Sequence, residues 1–112
     1  MVNYTSSYIN IWKELEIKTG EELSRLFNYL EVPNKRSIEM LLSNLDVEVT
    51  SFLNSSNKFN KQQNLINIEN WSDTLIEITI NSDIQIRVLI TKIINKALAI
   101  MIKSTLGDSN ED

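Results

Sequence analysis

The side chains that most often carry out chemistry in proteins are scarce in this sequence. The 112 residues include no cysteine and no histidine. The first absence excludes disulfides, thiolate nucleophiles and thiolate metal sites, and the second removes the commonest general base and metal ligand. Two isolated glycines, Gly20 and Gly107, are too few to form a glycine-rich phosphate loop. The serines lack a histidine or a recognisable lysine arrangement that could activate a nucleophile.

The acidic residues offer the remaining route to catalysis or metal binding. Asp46 and Glu48, which flank one valine, come closest to a pair of cooperating carboxylates. No group of carboxylates has the spacing of metal ligands, however, and we interpret this pair as the solvated edge of a helix. The sequence therefore predicts a protein that is not an enzyme and that has no catalytic residue, no metal site and no cofactor.

The elements that would position any functional side chain are predicted to be helices. The turns of all-β domains need glycine and proline, and only two glycines and one proline are present. Over residues 6–31 an apolar stripe with helical period lies within about 120° on an ideal helix. Its members are Tyr8, Ile9, Trp12, Leu15, Leu23, Leu26, Phe27 and Leu30. A capping box from Thr19 to Glu22 leaves open a kink or break near Gly20.

Proline and a heptad pattern delimit the second helix. Pro33 ends the first helix because it lacks an N–H group and disfavours helical geometry in the residue before it. A helix is predicted over 35–54, where apolar residues follow alternating steps of four and three: Ile38, Leu42, Leu45, Val49 and Phe52. We therefore predict a mainly α protein, a small single-domain bundle whose first two helices form a helical hairpin broken at Pro33.

The middle of the chain is harder to assign. Residues 55–64 are almost entirely polar and are predicted to form a linker. Residues 65–80 leave two structures open. Their β-branched content and the alternation of Ile76, Ile78 and Ile80 with polar residues favour a short β-hairpin. The helical neighbours, together with Ser72 as a helix cap, favour a helix.

The segment 83–106 is predicted to be an amphipathic helix with a wide apolar side. Its apolar arc exceeds about 200°, whereas a typical surface helix buries a stripe about 100° wide. A membrane span is not expected, because each central lysine or arginine costs roughly 2.5–3.5 kcal/mol on insertion. The helix is then either central in one domain or, as we favour, part of a homodimer or protein-partner interface. The apolar interaction residues predicted on this basis are Trp12, Ile86, Ile90, Ile93 and Ile100.

Charge is distributed unevenly along the chain. The net charge of −4 argues against nucleic-acid binding, yet four basic residues and no acidic ones lie between Ile84 and Gly107. Lys92, Lys96 and Lys103 form a stripe that we predict to face an acidic partner or surface. The alternative is internal pairing with acids of the first helix: Glu14, Glu21 and Glu22.

Residues 107–112 are predicted to be an acidic tail after a helix stop at Gly107. The absence of a signal peptide predicts a cytoplasmic protein.

One segment resembles a known family. In YLEVPNKRSIEMLLSNLDVEV, residues 29–49, Val32 and Pro33 precede the small polar Asn34 and the basic Lys35, and a heptad helix follows from Ile38. This segment resembles a motif of polyhydroxyalkanoate granule proteins, the phasins and synthase accessory subunits. The upstream YINIWKEL is similar to their aromatic amphipathic helix. The resemblance implies a non-enzymatic scaffold that coats a hydrophobic granule or supports a synthase.

Together these features predict a small, non-enzymatic helical interaction or adaptor protein that self-associates or docks on a protein partner. The alternative is an amphipathic coat protein on a granule or membrane surface, and a small enzyme ranks third. A transmembrane segment is not expected.

Overall fold

Four helices make up the structure, a computed structural model that describes residues 4–110 and the side chains of residues 7–106. The helices are α1 (Tyr4–Tyr29), α2 (Lys35–Asn54), α3 (Lys58–Ile78) and α4 (Ile84–Asn110). No strand occurs in the described range, and the protein is mainly α as predicted. The helix α1 is continuous through Gly20, and α2 has the bounds that the heptad pattern predicts.

The helices run alternately up and down in an elongated bundle of 50 × 23 × 17 Å. The Tyr8 hydroxyl donates to the Lys103 carbonyl at 3.3 Å, which places the start of α1 beside the end of α4. The closest packing occurs between α2 and α3 and between α1 and α4. The helices α2 and α4 also meet across the diagonal, whereas α1 and α3 do not touch within the described residues. As a result, α2 and α4 are the two helices that contact all the others.

The inner side of α4 contributes the largest share of the core. Its buried apolar residues are Ile86, Leu89, Ile90, Ile93, Ile94, Ala97, Ile100 and Met101. The other three helices contribute side chains that surround them, including Trp12 from α1, Leu45 from α2 and Leu75 from α3. Full burial of an isoleucine or leucine side chain is worth about 1.5–3 kcal/mol. The wide apolar arc is thus largely buried within the bundle itself.

For the middle of the chain, the linker prediction was wrong in extent, and of the two structures left open for 65–80 the helix is the one that forms. The linker predicted over 55–64 is only 55–57, because the Asn57 side chain accepts hydrogen bonds from the N–H groups of Phe59 and Asn60 and so starts α3 early. The β-hairpin considered for 65–80 is absent, since the same helix continues to Ile78. Its buried residues are Asn64, Ile68, Ser72 and Leu75. Two of these four are polar, which hid the helical period from a search for apolar residues.

The last helix is also longer than predicted. Gly107 was expected to stop it, but α4 extends to Asn110. A glycine stop requires a left-handed conformation after the last turn, and no glycine of the described backbone has a positive φ. The first turn of α4 is capped by Asp83, whose Oδ1 accepts from the Gln85 N–H at 2.9 Å.

The Gly20→Ala variant tests the packing at the middle of α1. Gly20 is exposed, a Cβ added to it meets nothing within 4 Å, and it borders a small cavity of about 60 Å³ between α1, α2 and α4. We expect a gain of about 0.5–1 kcal/mol in the free energy of unfolding, since alanine restricts the unfolded chain and favours the helix. The exposed Ala99→Gly is the reverse control and should lose a similar amount. Urea unfolding would measure both, and a destabilised Gly20→Ala would contradict this packing.

Candidate functional site

The apolar interaction residues predicted from the sequence all lie in the core. Trp12, Ile86, Ile90, Ile93 and Ile100 are only 0–6% exposed. Their prediction as a docking surface is wrong for the folded bundle, because they contact the other helices of the same chain. The wide apolar arc of α4 instead fits the other interpretation, a helix that is central in one domain. Three further helices are enough to cover its inner side.

The predicted lysine stripe, in contrast, lies on the surface. Lys92, Lys96 and Lys103 are all exposed. None of their ammonium groups forms an ion pair or a hydrogen bond with a residue that the structure describes. The internal pairing with the acids of α1 is therefore absent there. Glu22 comes nearest in position, because it lines the same groove between α1 and α4 as Lys92.

The outer side of α4 carries a second set of large apolar residues, which apolar spacing in the sequence does not distinguish from the core set. They are Ile84, Val88, Leu98, Ile102 and Leu106, and they are 40–62% exposed. The first four, with the exposed Thr91 and Asn95 between them, follow steps of four, three, four, three and four. We call the residues 84, 88, 91, 95, 98 and 102 the α4 outer stripe. Heptad steps keep these side chains on one line along the helix.

Two grooves border the α4 outer stripe at its opposite ends. One lies between the first half of α4 and the last turns of α1, has a volume of about 640 Å³ and is lined by Tyr29, Ile84 and Val88 with charged Glu22 and Arg25. The other is smaller, about 200 Å³, and almost wholly apolar. It lies between α3 and the second half of α4, and its lining includes Phe52, Leu65, Leu98, Ile102 and Leu106.

A polar cluster joins α1 to α2 on another side of the bundle. The Asp46 carboxylate accepts a hydrogen bond from the buried Trp12 Nε1 at 2.7 Å and pairs with Lys13 Nζ at 2.9 Å. The Thr50 hydroxyl donates to the same carboxylate at 3.3 Å. Partial burial raises the pKa of Glu16 above its ordinary 4.5; the negative charge of Asp46 adds to this increase and Lys13 opposes it.

The second acid of the same segment joins α2 to α3. Glu48 accepts hydrogen bonds from the side-chain amides of Asn64 at 2.8 Å and Asn67 at 3.2 Å. Asn64 is buried and also donates to the Ser51 hydroxyl at 3.2 Å. Asp46 and Glu48 are therefore not a solvated helix edge, because each carboxylate holds a different neighbouring helix.

Neither cluster has the arrangement of a reactive site. Asp46 pairs with Lys13 and is shared among three donor groups, and Glu48 meets only amides. No group of three or more acidic residues that could hold a metal ion occurs among the described residues. Within the same range, no helix combines the length and the apolar character that crossing a membrane requires. The exposed α4 outer stripe is thus the feature that the packing of the bundle leaves unexplained.

Comparison with known proteins adds no family to this description. No protein-family model, no curated protein and no solved structure matches the chain.

The Asp46→Ala variant tests the cluster between α1 and α2. Removing the carboxylate leaves the buried Trp12 N–H without its acceptor, and an unsatisfied buried donor costs about 1–3 kcal/mol. Lys13→Ala is the matched control, because it removes only the partly exposed ion pair and should cost less than about 1 kcal/mol. The free energy of unfolding of both variants is measured in urea. If Asp46→Ala and Lys13→Ala lose the same amount, the indole hydrogen bond of Trp12 contributes nothing.

The Glu16→Gln variant tests the electrostatics of the same cluster. Since the folded pKa of Glu16 is raised, the folded state binds the proton more tightly than the unfolded state, and its stability falls as the pH rises from 4.5 through the folded pKa. Glutamine mimics the protonated form. We therefore expect Glu16→Gln to gain stability relative to the parent protein at pH 7 and to gain less at pH 4. Exposed Glu14→Gln is the control, and a gain that does not depend on pH would refute the assignment.

Proposed function

We propose that this protein is a non-enzymatic helical interaction protein that binds another protein chain through the α4 outer stripe and the two grooves beside it. The observation that carries the proposal is that α4 has large apolar side chains on both of its sides, one side buried and the other exposed. The inner side of α4 is fully used by the core, and its outer side still presents isoleucine, valine and leucine at heptad spacing. A helix that contacts only its own bundle normally has polar residues there.

Spacing distinguishes the stripe from the other exposed apolar residues. Met40, Val47 and Ile76 are also exposed, and single apolar residues on a surface need no explanation. On α4 the exposed apolar positions instead lie on one line with a groove at each end, one of mixed lining and one almost wholly apolar. Extended contact with a second helix uses such a line, because about one side chain per helical turn enters the partner's surface.

Charge limits which surfaces this face can meet. The outer side of α4 from Ile84 to Leu106 has no acidic residue, and Arg87, Lys92 and Lys103 are all exposed along it. A basic rim around an apolar line favours partners that bring acidic residues to the edges of the contact. The acids of α1 that lie nearest, such as Glu22 in the groove, do not occupy these lysines among the described residues.

Photo-crosslinking from the stripe tests the proposal. A photoreactive phenylalanine derivative replaces Leu98 in cells that produce the full chain, and the same group at exposed Glu69 on α3 is the control. We expect a protein adduct from position 98 and not from position 69. Adding Ile102→Asp should remove the adduct and leave the bundle folded, since Ile102 is 60% exposed. The same change at buried Ile100 would unfold the chain by leaving a charge in the core.

Two results would contradict the proposal. One is the absence of any adduct from position 98, and the other is an equal yield from position 69. Circular dichroism of each variant shows whether a lost adduct reflects a lost contact or a lost fold.

A surface coat is the second candidate, supported by the row of exposed lysines beside the apolar stripe and by the resemblance of residues 29–49 to granule proteins. In such a protein the apolar side chains enter the surface layer and the lysines meet its anionic groups. Flotation of the folded protein with vesicles of anionic lipid separates the two candidates. Binding that is lost when Lys92, Lys96 and Lys103 are changed to glutamine would favour the coat, and no binding would favour the protein partner.

A further inference from the structure

We infer that the partner of the α4 outer stripe is a second copy of this chain, bound with the two α4 helices antiparallel. This inference rests on the proposed function and names the occupant of that surface. It follows from a symmetry in the stripe, from its polar centre, from the charges along its edges and from its size.

The α4 outer stripe is symmetric about position 93. Ile84 and Ile102 are nine positions to either side of it, Val88 and Leu98 are five, and Thr91 and Asn95 are two. Two identical surfaces related by a two-fold axis must match themselves, so that each residue meets its counterpart on the other copy. An antiparallel pair centred at 93 places apolar residues opposite apolar residues at both ends and Thr91 opposite Asn95 in the middle.

The polar centre fixes the register of this pairing. The Asn95 amide and the Thr91 hydroxyl of the second copy are a donor and acceptor pair at the same level. A shift by one heptad would place Asn95 opposite Leu98 or Ile84, where its amide would be buried without a partner. A single polar layer in an apolar helix contact is known to select register in this way, at a cost in stability.

Charge favours the antiparallel over the parallel arrangement. In the antiparallel pair, the one contact between like charges at the edge of the interface is between the two copies of Lys92, which lies one position from the centre at 93. The two helix dipoles run in opposite directions, whereas a parallel pair would align them. A parallel pair would instead bring Arg87 of each copy towards Lys92 of the other, at the edge positions whose charges decide coiled-coil orientation.

The size of the surface is sufficient for a dimer. From Ile84 to Ile102 the stripe extends about 27 Å, at 1.5 Å per residue. A contact about 27 Å long and about 20 Å wide, which includes the grooves beside the stripe, buries roughly 540 Å² per copy. The total of about 1,080 Å² exceeds the roughly 1,000 Å² that a specific interface needs.

The absence of native cysteine makes disulfide trapping a clean test. Ile84→Cys and Ile102→Cys are prepared as separate full-length proteins, mixed under reducing conditions and then oxidised. In the antiparallel pair these two positions are level, whereas two copies of either position are about 27 Å apart, far beyond the Cα separation that a disulfide allows. We expect the mixture to form cross-linked dimer at least about tenfold faster than either protein alone. Val88→Cys with Leu98→Cys is a second pair, and exposed Glu69→Cys is the control.

The outcomes separate this inference from the proposed function. Equal cross-linking of each single variant alone would overturn the antiparallel arrangement. A monomer in light scattering at high micromolar concentration, with no cross-link in either mixture, would overturn the second copy as partner. If position 98 still yields adducts with another protein in that case, the proposed function holds and only this inference fails. If it yields none, both fail.

Discussion

Burial of the inner side of α4 is the interaction on which the rest of the structure depends. Each of the other three helices contacts this helix, and together they enclose its isoleucine-rich side. Because α1 and α3 do not pack against each other in the part of the chain that the structure describes, they are held in one bundle through α2 and α4. The loops can be short and contain one proline, because the packing against α4 and α2 determines where each helix lies.

Specificity in this bundle comes from polar contacts at α2. Residues two apart on a helix point in nearly opposite directions, about 200° from each other. Asp46 can therefore reach Trp12 and Lys13 on α1 while Glu48 reaches Asn64 and Asn67 on α3. Buried or partly buried polar contacts of this kind add little net stability when they are made, but they are costly to break. They fix how α1 and α3 are aligned along α2, which the apolar contacts alone specify less strictly.

The sequence was sufficient where apolar spacing alone determines structure. The heptad from Ile38 to Phe52 predicts α2, and the stripe through Trp12 and Leu23 predicts α1. It was insufficient for α3, because polar Asn64 and Ser72 occupy two of its buried positions. It also could not divide the wide apolar arc of α4 into its buried and exposed parts. That division depends on where three other helices pack, so Ile93 and Ile102 look alike in the sequence and differ in the fold.

The exposed part of that arc is the basis of the functional proposal. Among the described side chains the acidic groups hold neighbouring helices together, while α4 presents an ordered line of apolar side chains between two grooves. A thiol-labelling scan of single-cysteine variants along α4, made at low concentration in the otherwise cysteine-free chain, tests this account most directly. If one side of α4 is buried and the other exposed, positions 88, 95 and 102 should be labelled rapidly and positions 86, 93 and 100 should be strongly protected. Protection at 88 and 102 should rise as the protein is concentrated, because the second copy then covers these positions. Equal labelling of both sets, or protection of the outer set at every concentration, would contradict this account.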